Sequence, residues 1–315
     1  MPIEWWVWPT LGATVFYGIG DGLYKQYIEQ IHPHRLCLYS VPVSAVVYLC
    51  FIYFFGLYHP PPFAPEGRAF LFWSLLTGLF YGVGNVVSYE GILRGPISLL
   101  SPVYAAYPIV TAVLAPIFLD EVLLPRQYAG VGLVLVGCLL LAYDPSQESR
   151  EYRTGAAEER TEPGEKAPSK YTWLILAAVT AILWGVGAVL NSYAYEMPQA
   201  NYANFMLFML ITSVPTLALW GLVRERTLPE NQRWKYPAVD FPPAILALGT
   251  YALGDVAVYL AYEEGPATVV TALSGAYPAV TLPYAFFVLG ERPTRLQWSC
   301  IALILLGTAL AAGEV

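Results

Sequence analysis

The chain has 315 residues, of which 57% are hydrophobic and only 12% charged, with a mean hydropathy of +0.52. A water-soluble domain needs roughly twice that charged fraction to solvate its surface, so a soluble globular protein is excluded. The net charge of −7 and the pI near 5.0 exclude a nucleic-acid-binding surface, which requires clustered basic residues.

In chain order, the first apolar segment is Trp5–Ile28. The residues before it carry Glu4 rather than a basic stretch and no small-residue cleavage site, so a retained helix is expected rather than a signal peptide. Trp5, Trp6 and Trp8 suit an interfacial aromatic belt at its boundary. Asp21 and Lys25 lie four residues apart, hence on one helix face, where they can neutralise each other. Two readings stay open for them. One is a structural ion pair with Lys25 snorkelling to the interface; the other is a site for the amine and carboxylate of a zwitterion. His32 and His34 follow without any cysteine or carboxylate constellation, so no metal site is expected.

Uncharged runs then recur at Leu36–Tyr58, Ala69–Tyr89, Gly95–Leu119 and Gln127–Tyr143. After a polar stretch come Trp173–Tyr195, Met197–Val223, Phe241–Tyr262 (with Asp255 inside it), Gly265–Gly290 and Leu296–Gly313. A helix needs about 20 apolar residues to cross a bilayer core, and these segments total ten. Turn signals separate them, among them His59-Pro60-Pro61-Pro62, Gly95-Pro96 and Gly265-Pro266. Between Asp144 and Lys170, 12 of 27 residues are charged, which marks 144–170 as a polar linker between segments 1–143 and 171–315. Cys37, Cys50, Cys138 and Cys300 sit in apolar runs and read as small packing residues.

The two segments are related. Residues 94–142 align without a gap on 264–312 at an offset of 170, placing RGPISLLSPVYAAYPIVTAVLAPIFLDE over EGPATVVTALSGAYPAVTLPYAFFVLGE. Upstream, Tyr81, Gly84 and Tyr89 lie over Tyr251, Gly254 and Tyr259, and Tyr17-Gly18-Ile19-Gly20 echoes Trp184-Gly185-Val186-Gly187. Equivalent helices are five apart. Five is odd, so they cross the bilayer in opposite senses, which is the arrangement of inverted-repeat transporters. The expected fold is an all-α membrane protein with ten transmembrane helices in two inverted five-helix repeats around a central cavity. Two fused bundles without transport are the structural alternative.

The paired GP…AYPxVT…(D/G)E…Q…G pattern, the ten helices and the polar mid-loop resemble the EamA-type carriers of the drug/metabolite transporter superfamily. The resemblance implies a central cavity and the export or exchange of small metabolites such as amino acids. It supplies no catalytic motif to carry over.

Charges in a bilayer core need a partner or a watery cavity. Asp255 lies mid-helix with no cation within four residues. Tyr251, Asp255, Tyr259 and Tyr262 form one stripe, and the equivalent helix shows Tyr81, Asn85 and Tyr89 at the same spacing. These stripes read either as pathway lining or as polar contacts holding helices together. Asp255 is also the candidate proton-coupling group. Tyr107, Tyr277 and Thr281 flank Pro108 and Pro278, which are expected to kink their helices and free the carbonyls of Tyr104 and Ser274. Asn191 adds an uncharged polar group.

The substrate pathway is thus expected at Asp21, Tyr24, Lys25, Tyr81, Asn85, Tyr89, Tyr107, Asn191, Tyr251, Asp255, Tyr259, Tyr277 and Thr281. No metal, cofactor or catalytic group is expected, because HExxH, GxSxG and phosphate-loop motifs are absent. The partners expected are the lipid bilayer, a small-molecule substrate and a proton, with no nucleic acid. The loops after odd-numbered segments hold 14 of the 16 Lys and Arg residues. The positive-inside rule then puts both termini outside, whereas the family resemblance implies termini in the cytoplasm.

The functional expectation is a secondary carrier in the plasma membrane exporting a small polar or amphipathic, amino-acid-like metabolite by alternating access. Alternatives are efflux of hydrophobic cations, a flippase for lipid-linked precursors, or a non-transporting scaffold.

Overall fold

A computed structural model describes residues 4–27, 33–55, 63–92, 94, 103–104, 106–142, 172–227, 241–290 and 292–311. The expected linker 144–170 lies outside these residues, as do Gly95, Pro96 and Glu291. Among the described residues the chain is helical, with no strand. The first half contributes α1 (Val7–Tyr27), α2 (Pro33–Phe55), α3 (Arg68–Ile92), α4 (Tyr107–Phe118) and α5 (Pro125–Ala142). The second contributes α6 (Thr172–Tyr195), α7 (Tyr202–Thr227), α8 (Phe241–Tyr262), α9 (Ala267–Gly275), α10 (Pro278–Phe287) and α11 (Arg295–Ala311). Six helical stretches are long and apolar enough to cross a membrane: His34–Phe55, Pro65–Ile92, Thr172–Tyr195, Tyr202–Thr227, Ala244–Tyr262 and Ala267–Phe287. Shorter apolar helices accompany them, and α1 spans 21 residues around its two charges.

Inter-half packing comes in matched pairs. α1 packs along α8, and its repeat mate α6 packs along α3, the mate of α8. α1 also meets α10 as α6 meets α4, while α2 packs on α7 and α5 on α11, each against its own mate. The halves are therefore interleaved about a pseudo-twofold axis rather than set side by side. Atomic detail repeats this symmetry. A Cβ added to Gly18 would lie 2.5 Å from Val280 Cβ and 2.8 Å from the Tyr277 carbonyl oxygen. One added to Gly185 would lie 2.5 Å from Val110 Cβ and 2.8 Å from the Tyr107 oxygen. Thr281 Oγ1 donates to the Gly18 carbonyl at 3.2 Å, as Thr111 Oγ1 donates to that of Gly185 at 3.3 Å. Glycine here lets one helix backbone approach another, which is how apolar helices gain packing energy in lipid.

Helix ends follow the repeat as well. Gln127 and Gln297 each reach back one turn, accepting from the amides of Leu124 and Thr294 at 2.9 and 2.8 Å. Such a side chain satisfies an amide that the helix start leaves without a partner. Asp120 and Gly290 both have left-handed φ, of 48° and 69°, at equivalent turns. Glycine adopts that conformation freely, and aspartate is among the few L-residues that tolerate it. Beside Asp120, the Glu121 carboxylate accepts from the amide of Thr268 at 3.2 Å, capping the start of α9.

The expected single helix over Gly265–Gly290 is broken. α9 ends at Gly275 and α10 restarts at Pro278, with Tyr277 in the turn. Pro108 likewise stands in the first turn of α4. A proline lacks the amide a helix interior would use, so it sits most easily where that amide has no partner anyway. Of the expected interfacial tryptophans, Trp5 and Trp8 are exposed but Trp6 is buried in the core. Cys37, Cys138 and Cys300 are buried, and Cys50 is exposed.

Candidate functional site: a tyrosine-lined cavity

The cores of the two halves differ along the helix direction. Near the starts of α1, α3 and α7 and the ends of α6 and α8, large side chains pack tightly: Phe70, Phe205, Phe208, Met206 and Met209 are each at most 2% exposed. Rings from both halves interlock there, with Phe70 of α3 meeting Phe208 at 5.7 Å and Phe205 at 6.4 Å between centroids, and Phe205 meeting Tyr259 at 5.0 Å. Toward the opposite end the small residues Ser40, Ser44, Ser88 and Ser213 face inward instead, and a cavity of about 310 Å³ forms. It reaches Ile92, the last residue of α3.

Eleven tyrosines line this cavity, together with Asp21, Asn85, Asp255 and Trp184. The stripes on α3 and α8 both point into it: Tyr81, Asn85 and Tyr89 from one half, and Tyr251, Asp255, Tyr259 and Tyr262 from the other. Asp255 is gripped across the halves. Tyr17 Oη of α1 donates to its Oδ1 at 2.8 Å, and Tyr48 Oη of α2 donates to its Oδ2 at 2.9 Å. Tyr251 Oη donates to Asp21 Oδ1 at 3.2 Å. Rings stand edge-on or tilted around these polar atoms, Tyr48 to Tyr259 and Tyr17 to Tyr251 each at 6.1 Å. Trp184, the repeat mate of Tyr17, packs edge-on against Tyr104 and Tyr107.

Of the residues expected to line a pathway, Asp21, Tyr24, Tyr81, Asn85, Tyr89, Tyr107, Tyr251, Asp255, Tyr259 and Tyr277 come together at this one cavity. Lys25 lies on α1 one turn beyond Asp21, and its side chain is outside the described residues. Thr281 lies at the α1–α10 contact through its bond to Gly18. Asn191 is fully buried on α6, its amide close to the Tyr81 hydroxyl without completing a well-formed hydrogen bond. Tyr17, Tyr48 and the four serines were not among the expected residues. Ser40, Ser44 and Tyr48 stand at spacings of four on α2, a stripe of the kind that revealed α3 and α8.

Charged groups gather at the end toward which the cavity extends. Glu90 binds Arg94, accepts from Arg224 Nη2 at 2.6 Å, and accepts from Trp220 Nε1 at 2.8 Å. Glu225 meets His34 Nε2 at 2.8 Å and Arg35 Nε at 3.3 Å. His34 thus hydrogen-bonds the Glu225 carboxylate, and no metal-binding cluster exists among the described residues. The opposite end is acidic. There burial raises the pKa of Glu121, partly offset by its bonds to Thr268 and Ala267. Burial raises that of Glu263 too, with the charge of Glu264 adding to it.

Comparisons with known proteins agree with this architecture. A crystal structure described only as that of a protein superposes with a TM-score of 0.74 at 17% identity, covering 98% of this chain and 99% of the other. At that identity the likeness concerns the fold. A Methanocaldococcus jannaschii protein described as uncharacterized protein MJ1333.1 is 25% identical over 130 residues, 41% of this chain and 90% of that protein. The EamA-like transporter family matches twice, over residues 4–143 and 171–313, one match for each half described above. The chain is a multi-pass membrane protein and belongs to the EamA-like transporter family.

Proposed function

We propose that this chain is a secondary carrier that moves a small polar or amphipathic metabolite by alternating access, with the tyrosine-lined cavity as its binding site. The observation that carries the reading is the gripping of Asp255 by Tyr17 and Tyr48 from two helices of the other half. A site assembled from both halves is remade whenever the halves rock against each other, so binding and rocking are coupled. The full complement is ten membrane-crossing helices, α9 and α10 forming one broken span. The packed aromatic end supports an access state closed on that side, with the cavity facing the end where Arg94 and Arg224 lie. The Lys and Arg distribution supports a cytoplasmic position for that end. Loading from the cytoplasm makes the chain an exporter in the plasma membrane, and its substrate class is amino-acid-like in size and amphipathicity.

Asp255 is the proton-coupling group of this proposal. The titratable side chains facing it are Tyr17 from α1, Tyr48 from α2 and Tyr259 from its own helix, with Asp21 in the same cavity. A carboxyl that holds either a proton or a substrate, but not both, couples outward solute movement to inward proton movement.

The test is a metabolite thermal-shift screen on purified protein, because binding stabilises the folded state by mass action. Flux of the stabilising compounds into proteoliposomes follows. Saturable flux of at least one of them is expected. Binding without flux in any case would make the chain a scaffold.

A further inference from the structure

We infer that the cavity recognises the positively charged amine of its substrate, an organic ammonium group with an apolar or aromatic portion, and that the described residues lining it offer no cation to a carboxylate. The inference rests on the carrier reading above and narrows its substrate class.

The argument starts from what surrounds Asp255. Both of its oxygens are held by hydroxyls, Tyr17 at 2.8 Å and Tyr48 at 2.9 Å, which are neutral donors. They orient the carboxylate without balancing its charge. Among the described residues lining the cavity there is no lysine, arginine or histidine, while Asp21 adds a second acid. A buried charge lacking a countercharge is costly, and a ligand cation entering between these rings supplies one. The rings favour the same ligand, because the face of a tyrosine attracts a cation held within about 6 Å of its centroid. Tyr17, Tyr48 and Tyr259 stand around the carboxylate, Tyr48 edge-on to Tyr259 and Tyr17 tilted against Tyr251, rather than in closed stacks. An anionic ligand would meet the opposite conditions at these described residues. Ser40, Ser44, Ser88 and Ser213, toward the open end, supply only neutral hydrogen-bonding groups for the remainder of the molecule.

The experiment uses three probes on one phenylpropyl-like skeleton: 2-phenylethylamine, phenylalanine and 3-phenylpropionate. Binding to the full-length protein in detergent is measured by calorimetry at neutral pH. The amine is expected to bind at least tenfold more tightly than the zwitterion, with the carboxylate weakest. Asp255→Asn is expected to weaken the amine at least tenfold while leaving the circular-dichroism helix signal and elution volume unchanged. If the variant does not fold, Tyr48→Phe serves, removing one hydroxyl while keeping the ring, with a smaller loss expected. Zwitterion or carboxylate binding as tight as the amine would overturn the inference, as would absence of amine binding. Saturable flux of some other metabolite into proteoliposomes would then leave the carrier reading standing, whereas no flux of any compound would sink both.

Discussion

Asp255 and Asn85 hold equivalent positions on α8 and α3, one repeat apart, and both face the cavity. One is a carboxylate held by hydroxyls from α1 and α2; the other is an amide. The repeat supplies two matching half-sites, and this single difference supplies one formal charge. Asn85→Asp adds a third carboxylate to the cavity that Asp255 and Asp21 already line, and like charges in one dry cavity repel. The expected outcome is a drop in thermal stability at neutral pH that acidification reverses, measured by a melting series from pH 5 to 8. Stability independent of pH in that variant would mean the two positions do not share a cavity.

The glycine contacts between helices give a symmetric pair of tests. Gly185→Ala forces a Cβ against Val110 and the Tyr107 carbonyl. It should cost about 1–3 kcal/mol, as overpacking in a tight contact does. Val110→Ala should recover part of that loss. Gly18→Ala with Val280→Ala should behave alike, because the same contacts recur there. Rescue in one half only would break the equivalence of the two interfaces.

The equivalent turns at Asp120 and Gly290 predict opposite effects for opposite substitutions. Gly290→Val should destabilise by roughly 1–2 kcal/mol, since a β-branched residue resists positive φ. Asp120→Gly should be neutral or slightly stabilising in the same melting assay, for the complementary reason.

Much of this architecture was legible in the sequence, and the exceptions have physical causes. The Tyr81–Asn85–Tyr89 and Tyr251–Asp255–Tyr259 stripes were visible because helical spacing converts directly into a shared face. The interfaces at Gly18 and Gly185 were foreshadowed by an echo between helices five apart. Tyr17 and Tyr48 were not recognised as partners of Asp255, because contacts between residues 238 and 207 positions apart leave no local pattern. The break at Ala276–Tyr277 was expected only as a kink. Periodicity sees a continuous apolar run there, while the proline after the turn restarts the helix as a new first turn. The Glu90 and Glu225 ion pairs were hidden for a third reason: charges near helix ends look solvated until distant helices bring partners to them.

The acidic end makes a pH prediction. Burial raises the pKa of Glu263 in the folded protein, and the Glu264 charge adds to the effect. The folded state therefore binds this proton more readily than the unfolded state does. Its contribution to stability is present at low pH and is lost as pH rises through the folded pKa. Glu263→Gln removes the titration, so its melting temperature should decline less than that of the parent protein as pH rises from the ordinary carboxylate range. Identical pH profiles would contradict the assignment.

The packed end also predicts a change of state. Phe205→Ala removes a buried ring that meets Phe70 of the first half and Tyr259 of the second and should cost about 3 kcal/mol or more in stability. In a background lacking the four native cysteines, a polar maleimide should label Ser213→Cys in the cavity but not Val269→Cys in the packed end. Adding Phe205→Ala should open the second position to labelling.

The central claim is that the cavity around Asp255 is a transport site. Counterflow measures it most directly: proteoliposomes preloaded with unlabelled 2-phenylethylamine and given an external radiolabelled trace. Transient accumulation of the trace is predicted with the parent protein, falling to the protein-free level with Asp255→Asn. Equal accumulation by the two proteins would contradict the claim.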